Sequence, residues 1–228
     1  MAKETKPRVD KKQTLDRLEI RIGRLIEVDP EPSSPKPAYR MTIDFGDRRL
    51  RSVGRFTRHP AAEMEGRLVA AVLNFGPVTI GDQVSDVLVL GVQYPKAESG
   101  EATFLTPAGD GVAVGRRVGA GAEAGDALPV VDKGEVFDSL EIRLGRVTAV
   151  EPMAEPADAC RLTLDFGKLG RRQAVAPAAG LEGRLLLGVL NFAPETVGEA
   201  TSEAHLLAVD ATFLTPAHDA AKIGGKLF

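Results

Sequence analysis

The 228-residue sequence predicts an all-β protein with small helices, folded as two tandem copies of one small barrel. The first observation behind this prediction is an internal repeat, in which four motifs recur in the same order. The second is the alternation of apolar and polar residues at Leu18–Ile22, at Met41–Phe45 and at their repeats, which is typical of half-buried strands. The third is the composition, because 24 glycines and no tryptophan favour a turn-rich protein of short elements.

The repeat divides the chain into two domains. The recurring motifs are Leu18–Arg24 with Leu140–Arg146, Asp44–Gly46 with Asp165–Gly167, Leu73–Phe75 with Leu190–Phe192, and Thr103–Pro107 with Thr212–Pro216. Their offset falls from 122 to 109 residues along the chain, so the second copy carries small deletions and keeps the order. This period is longer than that of solenoid repeats, so each copy is expected to be a domain. The predicted parts are a charged tail (1–14), a first domain (15–118), a Gly/Ala linker (119–135) and a second domain (136–228).

Each copy is expected to contain about five strands and one small helix. Leu18, Ile20 and Ile22 alternate with polar residues, and the glycine that follows, Gly23 or its counterpart Gly145, indicates a bulge or sharp bend. The next predicted elements of copy one are a strand at 41–45, a helix at 60–65, a buried strand at 68–75 and a strand at 87–92; copy two repeats them, with its helix at 177–182. A helix between the third and fourth of five strands is the element order of an OB-fold barrel. The sequence therefore predicts two tandem OB-fold barrels that form an intramolecular pseudo-dimer.

Composition and charge exclude several classes of protein. No apolar run approaches the roughly 18 residues of a membrane-spanning helix, the N-terminus lacks the apolar core of a signal peptide, and Cys160 is the single cysteine. These features predict a cytoplasmic protein with no membrane partner. Residues 136–228 carry 9 Lys and Arg against 12 Asp and Glu, which leaves 20 of each (29 − 9 and 32 − 12) for residues 1–135. A nucleic-acid site must therefore be a local basic cluster.

Three motifs of copy one resemble a known family. Lys36–Arg40 leading into Ile43–Gly46, then Leu73–Pro77, and then Ser85–Gly91 are similar to motifs of CsaA-type tRNA-binding domains. The same domain is attached to some methionyl- and phenylalanyl-tRNA synthetases. The resemblance covers residues 15–118 and, more weakly, 137–228. It implies an OB fold, binding of structured RNA and, in the CsaA branch, a homodimer with export-chaperone activity.

The sequence departs from this family after the Asp-Phe-Gly turn. Where the family has a polar Ser-Ser-Ala-Gln type of strand ending, copy one has Ser52-Val53-Gly54-Arg55 and copy two has Gln173-Ala174-Val175-Ala176. Copy one keeps one serine and has an arginine at the glutamine position, whereas copy two has lost nearly all the polar groups. Either the two sites have specialised or copy two has become mainly structural.

A one-signed arginine cluster is the main candidate for ligand binding. Five arginines fall within eleven residues of copy one, opposed only by the adjacent Asp47, and the matching stretch of copy two is also basic. A guanidinium group binds two phosphate oxygens at once and stays charged at any relevant pH. The alternative is a solvated strand edge kept charged against edge-to-edge pairing. The basic candidates are Arg21, Arg24, Arg48, Arg49, Arg51 and Arg55 in copy one, and Arg143, Arg146, Lys168, Arg171 and Arg172 in copy two.

Polar residues beside apolar runs complete the predicted site: Ser52, Asn74, Ser85, Asn191 and Ser202. For the asparagines the alternative is structural, because a buried amide pins a loop through bonds to backbone. Ser85 and Ser202 precede strands, and for them the alternative to ligand contact is the cap of a turn. Aromatic residues make up only 5% of the chain and recur at repeat-equivalent apolar positions. This scarcity favours recognition of the shape and backbone of a folded RNA over stacking on single strands.

The function predicted from these observations is non-catalytic binding of tRNA or another structured RNA. The alternative is a CsaA-like export chaperone that holds unfolded protein clients in an apolar groove. No cofactor or metal is predicted, because His59, His205 and His218 are not repeated and have no metal-ligand spacing. A monomer is expected, since the second copy supplies a partner surface in the same chain.

Overall fold

The computed structural model describes residues 4–97, 100–109, 111–119, 127–177 and 180–228. Within these ranges the chain forms two antiparallel barrels and very little helix. In the same ranges, no helix has the length and apolar character needed to cross a membrane.

The first barrel begins after a single 3₁₀ turn, Leu15–Arg17. Its elements are β1 (Ile20–Pro30), β2 (Tyr39–Asp44), β3 (Arg49–Gly54), α1 (Ala61–Met64), β4 (Leu68–Val72), β5 (Val78–Ile80), β6 (Gln83–Ser85), β7 (Leu88–Val89), β8 (Gly91–Gln93) and β9 (Ala102–Pro107). The main sheet has the order β3-β2-β1-β4-β7. The barrel closes where the amides of Asp86 and Val87 donate to the carbonyl of Arg51, at 2.8 and 3.3 Å. Helix α1 lies between β3 and β4, as predicted for an OB barrel.

The second barrel repeats this arrangement. Its elements are β10 (Ile142–Pro152), β11 (Cys160–Asp165), a 3₁₀ turn (Gly167–Leu169), β12 (Arg171–Ala176), β13 (Leu185–Val189), β14 (Glu195–Val197), β15 (Ala200–Ser202), β16 (His205–Leu206), β17 (Ala208–Val209) and β18 (Thr212–Pro216). Its sheet order, β12-β11-β10-β13-β16, matches that of the first barrel. The tandem OB-like fold is thus confirmed. Part of the helix predicted at 177–182 lies outside the described residues.

The glycines in the first strand of each barrel let core side chains pack closely against the strand backbone. They do not form the bulge predicted there. A Cβ atom on Gly23 would lie 2.5 Å from Ile43 Cγ2 and 2.7 Å from Phe45 Cε1, and one on Gly145 would lie 2.6 Å from Phe166 Cε1. The register shifts that mark the bulges fall later, between Leu25 and Glu27 in β1 and at the matching place in β10. The absent side chains therefore make room for a core phenylalanine.

The two barrels are joined by a nearly symmetric strand pair. Strands β9 and β18 run antiparallel, and Thr106 lies opposite its own repeat counterpart, Thr215. A pseudo-two-fold axis therefore passes between these threonines. One apolar core spans the junction, with Ile20, Val72 and Leu105 from the first barrel packed with Ile142 and Leu214 from the second. This shared core makes the chain an intramolecular pseudo-dimer.

Two short segments cross between the barrels. Residues 6–9, the first strap, precede the first barrel but contact the second, where the amide of Val9 donates to the carbonyl of Asn191 at 3.0 Å. Residues 128–131, the second strap, precede the second barrel but contact the first, where the amide of Val131 donates to the carbonyl of Asn74 at 2.9 Å. The first strap lies in the predicted tail and the second in the predicted linker, of which residues 120–126 are outside the described part. The segment that precedes each barrel thus packs against the other barrel.

Candidate nucleic-acid interface

The outer face of β1, β2 and β3 carries the predicted arginine cluster as part of three cross-strand rows. The first row is Arg24, Asp44 and Arg49; the second is Glu27, Thr42 and Arg51; the third is Asp29, Arg40 and Val53. Arg24, Arg49 and Arg51 are exposed at this surface. The second barrel aligns Arg146, Asp165 and Arg171 in its first row. The topology therefore brings together arginines that are distant in sequence, as the repeat predicts.

Carboxylates from neighbouring elements partner much of this cluster. Arg48 forms ion pairs with Asp47 at 3.1 Å and Glu19 at 3.8 Å, and Arg51 lies 3.9 Å from Asp86. Arg58 pairs with Glu101 at 3.0 Å, and its guanidinium lies 4.6 Å from the centre of the Tyr94 ring. In the sequence, Asp47 is the one acid next to this stretch, whereas the fold brings several carboxylates to the arginines. The cluster is therefore less one-signed than the sequence indicates.

Arg49 and its repeat counterpart Arg171 differ from these paired arginines. Both are exposed, and neither has an ion pair with any residue that the structure describes. Lys168 is exposed beside Arg171, Arg172 is half-buried with its Nη1 atom donating to the carbonyl of Arg171 at 2.8 Å, and Arg55 is half-buried. Arg49 and Arg171 are consequently the most available cations of the two outer faces.

Arg21 and Arg143 serve the barrel junction instead of the outer face. Arg21 is only 4% exposed, and its Nε atom lies 2.9 Å from the buried carboxylate of Glu19. That carboxylate also accepts the amide of Leu128, at 2.9 Å, just before the second strap crosses. In the second barrel Arg143 pairs in the same way with Glu141, which accepts the amide of Lys6 at 3.0 Å. The sequence predicted these arginines on the open face. In the structure each of them instead pairs with a buried glutamate next to a strap.

The predicted serines lie at the closure of each barrel. Ser52 and Ser85 are buried, and the Oγ atom of each donates to the carbonyl of Val87 at 3.0 Å. Ser85 Oγ also accepts the amide of Val53 at 3.2 Å. Ser202, half-buried, repeats the role of Ser85 by accepting the amide of Val175 at 3.3 Å. These hydroxyls hold the third strand to the closing segment and do not face solvent in the first barrel.

The predicted asparagines fasten the straps. Asn74 Nδ2 donates to the carbonyls of Arg17 and Pro129 at 2.8 and 2.9 Å, and its Oδ1 accepts the amide of Glu19 at 2.8 Å. Asn191 makes the matching set of bonds to Ser139, Pro7 and Glu141. Both side chains are buried. Their contacts agree with the structural alternative that the sequence left open for them.

An apolar cleft of about 400 Å³ lies next to the outer face of the first barrel. Phe75, Val78 and Leu88 line it on the barrel side, and Val131 of the second strap completes it. Val78 is 58% exposed, which is high for so apolar a residue. Two carboxylates, Asp86 and Asp132, and the ammonium of Lys133 stand at its edge. This cleft is where the first barrel exposes apolar surface.

The corresponding cleft of the second barrel has a volume of only about 20 Å³. His205 occupies the repeat position of Leu88, and its ring lies 5.8 Å from that of Phe192 in an edge-to-face contact. Burial lowers the pKa of His205, and Lys11 contributes in the same direction, so the ring is neutral near pH 7. The change from Leu88 to His205 is thus one of the differences between the copies that accompany the closed cleft of the second barrel.

Comparison with known proteins adds sequence relatives to this geometry. No family model matches the chain. A segment of 86 residues is 33% identical to the cytoplasmic methionine–tRNA ligase of Arabidopsis thaliana and covers 37% of this chain and 11% of that protein. The chain therefore spans about a tenth of the length of this relative.

Two solved structures are similar to part of the chain. The CsaA chaperone protein of Picrophilus torridus is 32% identical, and the match covers 45% of this chain and 92% of that one with a TM-score of 0.40. The CsaA chaperone of Bacillus anthracis strain Ames is 30% identical over the same shares, with a TM-score of 0.41.

The barrels and their paired outer faces define a tandem OB-barrel protein. The sequence identities confirm the resemblance that the motifs predict. The chain is a tandem CsaA-like protein, related also to a segment of methionine–tRNA ligase.

Proposed function

We propose that this protein binds tRNA or another structured RNA, without catalysis, through the outer faces of its barrels. The observation that carries the proposal is the pair Arg49 and Arg171, which are exposed, repeated at the same register and without ion pairs among the described residues. The relation to methionine–tRNA ligase supports tRNA as the class of partner. Interleaved carboxylates fit recognition of a particular backbone geometry better than a general attraction to polyanions.

Alanine at both Arg49 and Arg171 is expected to weaken RNA binding, because each guanidinium neutralises a phosphate in the complex. Removing one such phosphate contact lowers the slope of log affinity against log salt concentration by roughly 0.7–0.9. The double variant should therefore show a slope smaller by about 1.4–1.8 in a titration of tRNA at several salt concentrations. Lysine at both positions should keep the slope but give a lower affinity, because it lacks the bidentate fork.

A matched control for this titration is Arg58→Ala, which removes the same charge from an arginine already paired with Glu101. Its slope is expected to change less per charge removed than that of the variant with alanine at both Arg49 and Arg171. An unchanged slope in the folded double variant would refute the phosphate role of Arg49 and Arg171. The arginines would then be edge-protecting charges, as the alternative from sequence holds.

The apolar cleft of the first barrel supports a second candidate function, the binding of unfolded protein clients. Both CsaA relatives are described as chaperones, and a cleft of about 400 Å³ beside the exposed Val78 suits an apolar side chain. Burial of one such side chain contributes about 1.5–3 kcal/mol. The same cleft is nearly absent from the second barrel, so client binding is assigned to the first.

Replacing Leu88 by histidine is expected to close the cleft of the first barrel, because its repeat counterpart, His205, lines the closed cleft of the second barrel. Suppression of aggregation of a chemically denatured test protein should weaken at least about tenfold in Leu88→His, since burial of one apolar side chain is worth more than about 1.4 kcal/mol. Leu88→Met, which keeps volume and apolarity, is the matched control. Full suppression by Leu88→His would contradict a client site here, and tRNA affinity should not change in either variant.

A further inference from the structure

A basic cleft of the first barrel shares only Arg24 with the cross-strand rows of the outer face. It has a volume of about 440 Å³ and is formed where the first and fourth strands of the first barrel meet the end of β9. Arg24 and Arg67 contribute its charged groups, and Thr106, Gly109 and Gly111 contribute to its opposite wall. Because Thr106 lies on the pseudo-two-fold axis, the cleft opens beside the junction of the two barrels.

The charge of this cleft differs from that of the outer face. Its described lining contains two arginines and no carboxylate, and neither arginine has an ion pair within the part of the chain that the structure describes. Asp110, between the two glycines, lies outside that part. Each cross-strand row of the outer face includes a carboxylate, and Asp44 of the first row stands opposite Arg24, but these two residues form no ion pair in the described part of the chain. A phosphate group is attracted most strongly where cations are not already neutralised.

Both arginines are held in place by contacts that leave donors free. The Nη1 atom of Arg24 donates to the carbonyl of Gly66 at 2.7 Å, which uses one of the five N–H donors of the guanidinium. The guanidinium of Arg67 lies 5.6 Å from the centre of the buried Phe104 ring, within the range of a cation–π contact. Gly66 has a φ of +79°, a turn conformation that presents its carbonyl to Arg24 and favours glycine. Two guanidinium groups that are already partly immobilised lose less conformational entropy on binding an anion than two freely moving ones.

The same arrangement occurs in the second barrel. The sequence Glu-Gly-Arg-Leu occupies Glu65–Leu68 and recurs without change as Glu182–Leu185. Arg146 Nη1 donates to the carbonyl of Gly183 at 3.0 Å, and the adjacent Arg184 is exposed as Arg67 is. On the outer face the copies have diverged, since Gln173 stands at the register of Arg51. Both copies therefore keep the two arginines of the cleft, although the polar residues of the neighbouring outer face differ between the copies.

We propose that the cleft of Arg24 and Arg67 binds a phosphate group, and that Arg146 and Arg184 form its counterpart in the second barrel. When the protein binds RNA, this group is a backbone phosphate, and in this respect the inference rests on the proposed function. Free phosphate presents the same oxygens. Arg67 and Arg184 carry the test, because their side chains are exposed, whereas Arg24 and Arg146 also hold a turn carbonyl.

The experiment compares the full chain with Arg67→Ala/Arg184→Ala and with Arg17→Ala/Arg8→Ala, a control that removes two arginines from outside both basic surfaces. In the first arm, the slope of log affinity for tRNA against log salt should fall by about 1.4–1.8 in the cleft variant. It should not fall in the control. In the second arm, ³¹P line broadening of inorganic phosphate should decrease in the cleft variant and persist in the control. Circular dichroism verifies that each variant is folded.

The two arms distinguish an RNA backbone phosphate from free phosphate. They also distinguish failure of the cleft proposal from failure of the proposed RNA binding. A smaller slope with no effect on inorganic phosphate assigns the cleft to the RNA backbone, and loss of inorganic phosphate binding alone assigns it to the free anion. Wild-type protein that binds no RNA would refute the proposed function, and the phosphate arm would then decide the cleft by itself. A cleft variant that matches the control in both arms overturns the inference. Arg67→Lys/Arg184→Lys, which keeps the charge, should restore the slope.

Discussion

Replacing Asn191 by alanine is expected to lower the free energy of unfolding by about 3–5 kcal/mol. The buried side chain makes three hydrogen bonds to backbone, two as donor to the carbonyls of Pro7 and Ser139 and one as acceptor from the amide of Glu141. Alanine leaves all three backbone groups without this partner, and each buried unsatisfied group costs about 1–3 kcal/mol. Urea unfolding at neutral pH measures the loss.

Two further measurements identify the cause of this loss. Asn74→Ala removes the equivalent bonds in the first barrel and should cost a similar amount, whereas Arg49→Ala, an exposed substitution, should stay within about 0.5 kcal/mol. Hydrogen exchange should accelerate at the amides of Glu141 and Val9 in the Asn191 variant, because the first strap is released. A loss below about 1 kcal/mol, the lower bound for a single unsatisfied group, would show that the asparagine is not what fastens the strap.

Acidification from pH 7.5 to pH 4 is expected to destabilise the protein by about 3 kcal/mol through His59. Burial lowers the pKa of His59 from 6.5 to about 4, and the nearby His218 and Arg67 contribute in the same direction. The unfolded chain therefore takes up a proton at higher pH than the folded chain. The stability is fully present above pH 6.5 and is lost as the pH falls towards 4.

The contacts of His59 explain why the folded state resists its charge. The Nε2 atom lies 3.1 Å from both Tyr94 Oη and Thr103 Oγ1, and the ring is packed 4.8 Å from that of Phe104. Urea unfolding across this pH range should give a steep loss for the wild type and a shallower one for His59→Gln, which cannot be protonated. Equal pH dependence of the two proteins would show that His59 does not account for the acid sensitivity.

His59 also illustrates a pairing that the sequence could not predict. Its neighbour His218 follows the last strand of the second copy, and the two rings are 6.1 Å apart only because the barrels pack against each other. Neither histidine belongs to the repeat, so periodicity gives no indication of the contact. Within the first barrel, Arg48 and Glu19 are 29 residues apart in sequence and 3.8 Å apart in the fold, a pairing that the sequence pattern does not show either.

Some strands were not predicted because they are too short to show an alternation of apolar and polar residues. The hairpin of β5 and β6 has three residues in each strand, and three of these six residues are exposed. The buried run at 68–75 was expected to be one strand, but β4 ends at Val72 because Asn74 turns inward to bind the second strap. A tertiary contact thus set the end of an element that local propensity would have extended.

The duplication and the β architecture could be predicted from the amino-acid sequence, and the arginines of the outer face could be singled out from it. These predictions use patterns within a few residues and the comparison of one copy with the other, so no tertiary information is needed. The neutralisation of particular cations, the open cleft and the segments that cross between the barrels are visible in the folded structure but not in the sequence. Each of these depends on groups that are distant in sequence and meet across the junction. Packing contacts act over a few ångströms, and exposed charges in salt interact over about 10 Å, so both depend on which groups the fold brings together.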